Sequence, residues 1–310
     1  MRLLIAEADH AYYAERIRAA CPELDLFASD DPKALAAAAV DHPIWLGEPS
    51  LLTPLLRQGL RPQWLQSTWA GITPLLASDL PRDYRLSRAV GIFGQVMAEY
   101  VIGHLLAHER RLFERQQAQR EQRWAPMLPR SLAGRRVLIV GCGDIGQAVA
   151  GFLAPFGVEL RGVASQAREQ APFAEVAAMS GLPRLVGWAD FVINLLPDTP
   201  TTRDLYDANL LASFRPEALL INAGRGSSVV EADLLAALQQ GTLAGAVIDV
   251  CREEPLPGGH PFWSAPNLLL TGHSAAPTDP TLMVGLFLDN LARWQAAEPL
   301  RGEVDFARGY

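Results

Sequence analysis

The side chains with chemical capacity fall at a few places in this 310-residue chain. Asn222-Ala223-Gly224-Arg225-Gly226 closes an apolar run and sets an arginine between two glycines. The planar fork of arginine matches a carboxylate bidentately, and a surface-turn arginine is the plain alternative. Asp249 and then Glu253-Glu254-Pro255-Leu256-Pro257 follow a second apolar run, and Gly272-His273-Ser274-Ala275-Ala276 follow a third. A lone histidine is more often structural than catalytic. Arginine, acid and histidine at three successive strand ends change that balance. Together they offer an anion anchor, a carboxylate that steadies an imidazolium, and a proton donor.

These groups stand downstream of Val137–Gly146, which reads V-L-I-V-G-C-G-D-I-G. Four apolar residues without alternation suit a parallel strand buried on both faces. Gly141, Gly143 and Gly146 then have G-x-G-x-x-G spacing, and the residues from Gln147 to a stop near Gly157 have helical composition. In a dinucleotide site the first glycine makes the turn, the second admits the pyrophosphate, and the third lets helix pack on strand. The helix N-terminus adds free N–H groups for the phosphates. The next strand is expected at Val158–Val163 and is followed by Ala164-Ser165-Gln166-Ala167-Arg168. An NAD site usually carries an acid there for the ribose diol. Ser165 and Arg168 suit a 2′-phosphate better, so NADP(H) is the expected cofactor, with NAD(H) as the alternative.

The elements that must position these residues read as two α/β domains, each a doubly wound parallel sheet. Strands are expected at Leu3–Ala6, Leu24–Phe27, Ile44–Leu46 and Trp64–Gln66, alternating with helices at Ala11–Ala20, Pro32–Val40 and near Thr53–Arg57. Ser67-Thr68-Trp69-Ala70-Gly71 then forms a loop at the crevice end of the sheet, where bare N–H groups could hold a carboxylate; an ordinary turn is the alternative. Residues from Gly94 to about Arg123 read as one long helix, apolar and then charged, with the arginines interleaved with Glu109, Glu114 and Glu121 as on a solvated helix or a subunit contact. Beyond Gly146 five more strands are expected, at 158–163, 191–194, 218–222, 244–250 and 268–271, making a six-stranded sheet.

Composition narrows the function further. A net charge of −7, from 27 basic and 34 acidic residues, argues against a nucleic-acid partner. Cys21, Cys142 and Cys251 form no C-x-x-C, which suits a reducing, cytoplasmic setting. The opening R-L-L-I-A-E-A-D reads as a first strand and not a signal peptide, and no membrane span is expected. His104 and His108 stand at i and i+4, but no third ligand has a known spacing, so no metal site is expected.

At this point the chain resembles the D-isomer-specific 2-hydroxyacid dehydrogenases. The resemblance rests on G-C-G-D-I-G (141–146), N-L-L-P-D-T-P-T-T (194–202), I-N-A-G-R-G (221–226), A-V-I-D-V-C-R-E-E-P-L-P (246–257) and H-S-A-A (273–276). W-A-G-I (69–72) and the ending V-D-F-A-R-G-Y (304–310) are similar to the glyoxylate/hydroxypyruvate reductase A branch. The resemblance implies a Rossmann cofactor domain over 95–275 and a discontinuous flavodoxin-like substrate domain over 1–94 and 276–310. It also implies a cleft that closes by hinge motion, and a homodimer built through the cofactor domain.

Carried over by motif, Arg225 would hold the carboxylate of a small 2-oxo acid substrate and polarise its carbonyl. His273 would act as acid and base, and Glu254, directly before Pro255, would pair with it. Trp69, Ala70 and Gly71 would bind substrate. Gly141, Gly143, Asp144, Ile145 and Gly146 would hold the cofactor together with Ser165, Arg168, Leu196, Pro197 and Ala223, and Asp249 would meet the nicotinamide carboxamide. Two positions depart from the family pattern: Gly272 stands where proline is common, which would loosen the loop carrying His273, and Cys251 stands where an aromatic is usual. The expected activity is NADPH-dependent reduction of a 2-oxo acid to a D-2-hydroxy acid. The alternatives are a non-catalytic dinucleotide sensor and a related dehydrogenase using NAD.

Overall fold

The computed structural model describes residues 1–307; Arg308, Gly309 and Tyr310, which end the V-D-F-A-R-G-Y segment, lie outside the described residues. The chain divides into two compact units. It passes between them at Ile92–Phe93 and Pro277–Thr278, against the expected 94/95 and 275/276.

The first unit is built on β1 (Arg2–Ala6), β2 (Asp25–Ser29), β3 (Ile44–Gly47), β4 (Trp64–Ser67) and β5 (Arg85–Ser87), in the order β2-β1-β3-β4-β5. All pairings are parallel, so each strand needs a crossover. Helices His10–Ala20, Pro32–Ala39 and Pro49–Arg57 supply the first three. Asp31 fixes the start of the second by accepting hydrogen bonds from the N–H groups of Lys33 and Ala34. Strand β5 lies beyond the four expected strands, because its arginine and serine hide it from an apolar count. Ser87 is nonetheless fully buried, taking the Trp64 indole N–H at 2.8 Å and donating to Gln66 Oε1 at 2.7 Å.

The returning segment completes this unit. Asp279 caps helix Pro280–Gln295, which lays Phe287 and Trp294 against the indole of Trp64 at centroid distances of 5.4 and 5.6 Å. Asn290 donates to Gln66 Oε1 at 2.8 Å, and Arg85 pairs with Glu303 at 2.6 Å.

The second unit has seven parallel strands, one more than expected: β6 (Arg136–Val140), β7 (Glu159–Ala164), β8 (Glu175–Ala178), β9 (Phe191–Asn194), β10 (Leu219–Asn222), β11 (Gly245–Ile248) and β12 (Leu268–Leu270). Their order is β12-β11-β10-β9-β6-β7-β8. The unforeseen β8 is a four-residue edge strand that opens on a glutamate. The direction of winding reverses between β6 and its neighbours β7 and β9, which is where such sheets bind ligands. Burial on both faces explains the uninterrupted apolar run. Leu138 and Val140 enter one hydrophobic cluster while Val137 and Ile139 enter the other.

The expected single helix from Gly94 to Arg123 is two, Gly94–Glu109 and Leu112–Arg120, parted by Arg111 at φ 53°. Glu109 is not on a solvated face. It is 2% exposed and lies 3.3 Å from Arg130 and 3.1 Å from Arg135, and a carboxylate buried there needs both. Among the described residues no helix is long and apolar enough to cross a membrane.

Because Trp64 is where the returning helix is received, Trp64→Ala should lower the stability of the first unit by about 3–5 kcal/mol. Urea unfolding followed by hydrogen exchange within residues 1–92 and 278–307 measures this, and unchanged protection there would contradict it.

Candidate active site

The glycine turn is shaped by close approach at two of its three glycines. Gly141 follows β6 at φ 108°, a conformation that L side chains rarely adopt. A Cβ on Gly146 would sit 2.1 Å from the carbonyl oxygen of Gly141, so the third glycine is set by packing. A Cβ on Gly143 would meet nothing within 4 Å, which leaves the backbone open to an approaching group. Gly143 also begins helix Asp144–Leu153 with no side-chain cap, so Asp144 and Ile145 form an N-terminal turn whose N–H groups can face an anion. This cradle fits a pyrophosphate. Cys142 turns inward instead, its Sγ 3.5 Å from the Ile139 carbonyl, and burial pushes its thiol up to about 11.

Beyond β7, Ser165 is exposed and Arg168 bends back over the same turn. Arg168 Nη2 donates to the Cys142 carbonyl at 2.6 Å and Nε to Gln170 Oε1 at 2.6 Å. Gln170 also donates to Gln147 and, at 3.3 Å, to the Cys142 carbonyl. The guanidinium therefore stands beside the glycine turn, held by two glutamines that composition did not single out.

At the ends of β9 and β10 an amide network sets the backbone. Asn194 Nδ2 donates to Asn222 Oδ1 and to Ser228 Oγ, both at 2.9 Å. Asn222 Nδ2 and Ser228 Oγ in turn donate to the carbonyl of Arg225, at 3.3 and 2.7 Å. Leu196 and Ala223 join the same lattice through Asn194, while the Pro197 carbonyl accepts from Thr202. The glycines flanking Arg225 answer to crowding. A Cβ on Gly224 would lie 2.8 Å from the Leu196 carbonyl oxygen, and one on Gly226 only 2.0 Å from the carbonyl carbon of Cys251. Arg225 Nη1 donates to the Gly224 carbonyl at 2.5 Å, and the half-buried guanidinium helps hold Asp198 below the usual carboxylate range, after Arg203 and Ser227.

The ends of β11 and β12 meet directly. His273 Nδ1 lies 2.7 Å from Glu254 Oε2, while Glu254 Oε1 accepts the Cys251 N–H at 2.8 Å. With Nδ1–H given to the carboxylate, Nε2 is the ring atom left to carry or take a proton. Asp249 is 4% exposed. Its Oδ1 accepts from Thr271 Oγ1 at 2.6 Å and from Ser274 N–H at 2.9 Å, and its Oδ2 from Ala275 N–H at 3.2 Å. Its own carbonyl takes the His273 N–H at 2.6 Å. Thr271 shares a further hydrogen bond with the Tyr100 hydroxyl at 2.8 Å. Burial pushes the thiol of Cys251, beside the site, up to about 11, and the acids around it add to this.

Gly272 and His273 both have positive φ, 68° and 56°. The loop expected to be loose for want of a proline is therefore clamped, in a shape that proline cannot take. In the first unit, Trp69 is 39% exposed. Its N–H and carbonyl are bound by Ser67 Oγ and the Ala89 N–H, and among the described residues the N–H groups of Ala70 and Gly71 have no partner. His104 packs edge-on against Tyr100 and His108 against Phe191, and burial lowers the basicity of both imidazoles.

Residues 102–275 match the family described as D-isomer specific 2-hydroxyacid dehydrogenase, NAD binding domain. Over 214 residues, 69% of this chain and 68% of the relative, the sequence is 36% identical to a glyoxylate/hydroxypyruvate reductase A of Yersinia enterocolitica. The fold is similar to a D-isomer specific 2-hydroxyacid dehydrogenase family protein of Aeromonas salmonicida, with TM-score 0.92 and 37% identity over 98% of this chain and 99% of that one. It is also similar to an NADPH-dependent glyoxylate/hydroxypyruvate reductase of Sinorhizobium meliloti in complex with NADP and sulfate, with TM-score 0.86 and 29% identity over 100% of this chain and 99% of that one.

Proline holds φ near −65°, so Gly272→Pro should displace His273 from Glu254. We expect a stability loss of more than about 1 kcal/mol and a turnover loss on the order of 10²-fold. Wild-type kinetics in this variant would show that the clamp does not set the histidine.

Proposed function

This chain belongs to the D-isomer specific 2-hydroxyacid dehydrogenase family, and from that premise we propose that it reduces small 2-oxo acids of the glyoxylate and hydroxypyruvate class to D-2-hydroxy acids, with NADPH preferred over NADH. The observation that carries the reading is the 2.7 Å contact between His273 Nδ1 and Glu254 at adjacent strand ends. When bound, the reduced nicotinamide supplies the hydride. The chain's own residues do the rest. Arg225 anchors the substrate carboxylate and draws electron density from the carbonyl oxygen. Imidazolium Nε2 of His273 gives that oxygen its proton, so one hydride and one proton convert the 2-oxo group to the alcohol. Glu254 fixes the ring's orientation through Nδ1, which leaves Nε2 to the substrate, and Asp249 holds the backbone of the loop that carries it.

The turn from Gly141 to Gly146, with Leu196, Pro197 and Ala223 beside it, would hold the cofactor. Arg168 by the glycine turn and Ser165 in place of an acid support NADPH, as does the NADP found with the Sinorhizobium relative. Ala70 and Gly71 would offer N–H groups to the substrate carboxylate, and Trp69 would pack on the substrate. We also infer a homodimer. Exposed apolar side chains in the second unit support it: Phe113 at 53%, Trp124 at 95% and Leu128 at 85%.

Cofactor oxidation with glyoxylate is the direct test. NADPH should give the higher kcat/KM, and Ser165→Asp, which repels a 2′-phosphate and offers the diol an acceptor, should reverse the order. Better use of NADH by the unaltered chain would refute the cofactor assignment. Arg225→Lys keeps the charge but loses the fork, so kcat/KM for glyoxylate should fall by about 10²-fold while NADPH affinity, read by fluorescence titration, stays within about twofold. A near-normal catalytic constant would remove Arg225 from the site.

A further inference from the structure

One buried acid has no part in the chemistry just described. Glu7 follows β1 and is 8% exposed. Thr68, beyond the end of β4, donates its hydroxyl hydrogen to Glu7 Oε1, although β3 lies between those two strands. The strand ends are knitted together to allow this. Glu48 N–H binds the Ala6 carbonyl at 3.0 Å and Thr68 N–H the Gly47 carbonyl at 3.0 Å. At Gly47 a Cβ would lie 2.1 Å from the oxygen of Ala6, so only glycine lets β1 and β3 end this close. The carbonyl of Thr68 accepts from Thr278 Oγ1 at 3.0 Å. Thr68 is thereby fixed through its N–H, its carbonyl and its side chain, two and three residues before the N–H groups of Ala70 and Gly71, which have no partner among the described residues.

We propose that Glu7 is the positioning residue of the Trp69–Gly71 loop, acting through Thr68 and governing how well that loop receives the substrate carboxylate. The proposal rests on the reading that this loop binds that carboxylate. The charged side chains that act on the Glu7 carboxyl are acidic, Glu48 from the turn after β3 and Asp9 before helix His10–Ala20, while His10 of that helix sets its Nδ1 3.1 Å from the Glu7 backbone carbonyl. Tyr13 of that helix also faces it, and burial first, then Glu7, Asp9 and Asp279 of the returning segment, raise the basicity of its phenolate. Burial first, then Glu48 and Asp9, push the Glu7 carboxyl up to about 7 against the hydrogen bond from Thr68. Protonated, Glu7 holds Thr68 with no negative charge beneath the anion-receiving turn. Ionised, it puts a poorly screened charge there, and a carboxylate substrate is repelled.

The measurement is KM and kcat for glyoxylate at saturating NADPH, at pH 6 and pH 8.5, in the wild type and in Glu7→Gln, which is neutral throughout. The ratio of wild-type to variant KM should be near one at pH 6 and rise to roughly tenfold at pH 8.5, with kcat matched within about twofold. A flat ratio, or a change in kcat alone, overturns the role of Glu7. Thr68→Val cuts the link while keeping the acid and should raise KM several-fold at both pH values. Wild-type behaviour of that variant overturns the proposal even if Glu7→Gln does not fold.

Stability gives a readout without turnover. A raised acid contributes stability below its unfolded value of about 4.3 and loses it as pH rises through about 7. The wild-type urea midpoint should therefore fall over that window relative to Glu7→Gln, and parallel midpoints would show that Glu7 is not held protonated. A wild type that reduces no 2-oxo acid would sink the functional reading, and this proposal with it. An active wild type with a flat KM ratio would sink only the proposal.

Discussion

Asp249 is taken out of water at the end of β11, and a carboxylate so placed costs several kcal/mol unless hydrogen bonds replace its hydration. Three donors within four residues of one another do so: the Thr271 hydroxyl and the N–H groups of Ser274 and Ala275. Satisfying them wraps the chain around the acid and drives Gly272 and His273 into left-handed backbone, a strained state for a histidine that persists because its surroundings over-determine it. The imidazole then meets Glu254, whose other oxygen is anchored on the Cys251 N–H. The pairing of His273 with Glu254 is thus a consequence of how a buried acid nearby is solvated.

The arginine loop illustrates a different constraint. Glycines on either side of Arg225 suggest a flexible turn, yet they are places where backbone passes backbone. Gly224 lies against Leu196 and Gly226 against Cys251, each too close for a methyl group. The carbonyl between them is bound by Asn222 and Ser228. Rigidity here comes from crowding and from amide side chains that run between strand ends.

Strands β6, β9, β10 and β11 were readable because a parallel strand buried on both faces must be apolar throughout. Strand β5 was not, because Ser87 is buried through a partnership with Trp64 and Gln66 that no local pattern encodes. Strand β8 is short and lies at the edge. The helix break at Arg111 falls within arginine-rich sequence of unbroken helical composition, with no glycine to mark the left-handed residue. At the candidate site, position along the sheet singled out Arg225, Glu254 and His273 for attention. Thr271, Ser228 and Gln170 escaped notice, and Asn194 was read only as the first letter of a motif, because their contribution is a hydrogen bond to a residue distant in sequence, and a hydroxyl or amide carries no sign of where its partner is.

The discontinuity of the first unit bears on the order in which the protein is made. The stacking surfaces for Trp64, the amide of Asn290 that meets Gln66, and the carboxylate of Glu303 that meets Arg85 all emerge after the entire second unit has been translated. At ~5–20 residues per second, the first sheet waits roughly 10–40 s for them, with its indole and the edge of β5 uncovered. The second unit is continuous in sequence and can close on itself during that interval. A nascent chain of this kind has a window in which half of it is finished and the other half is vulnerable, and a ribosome pausing near Pro277 would widen it.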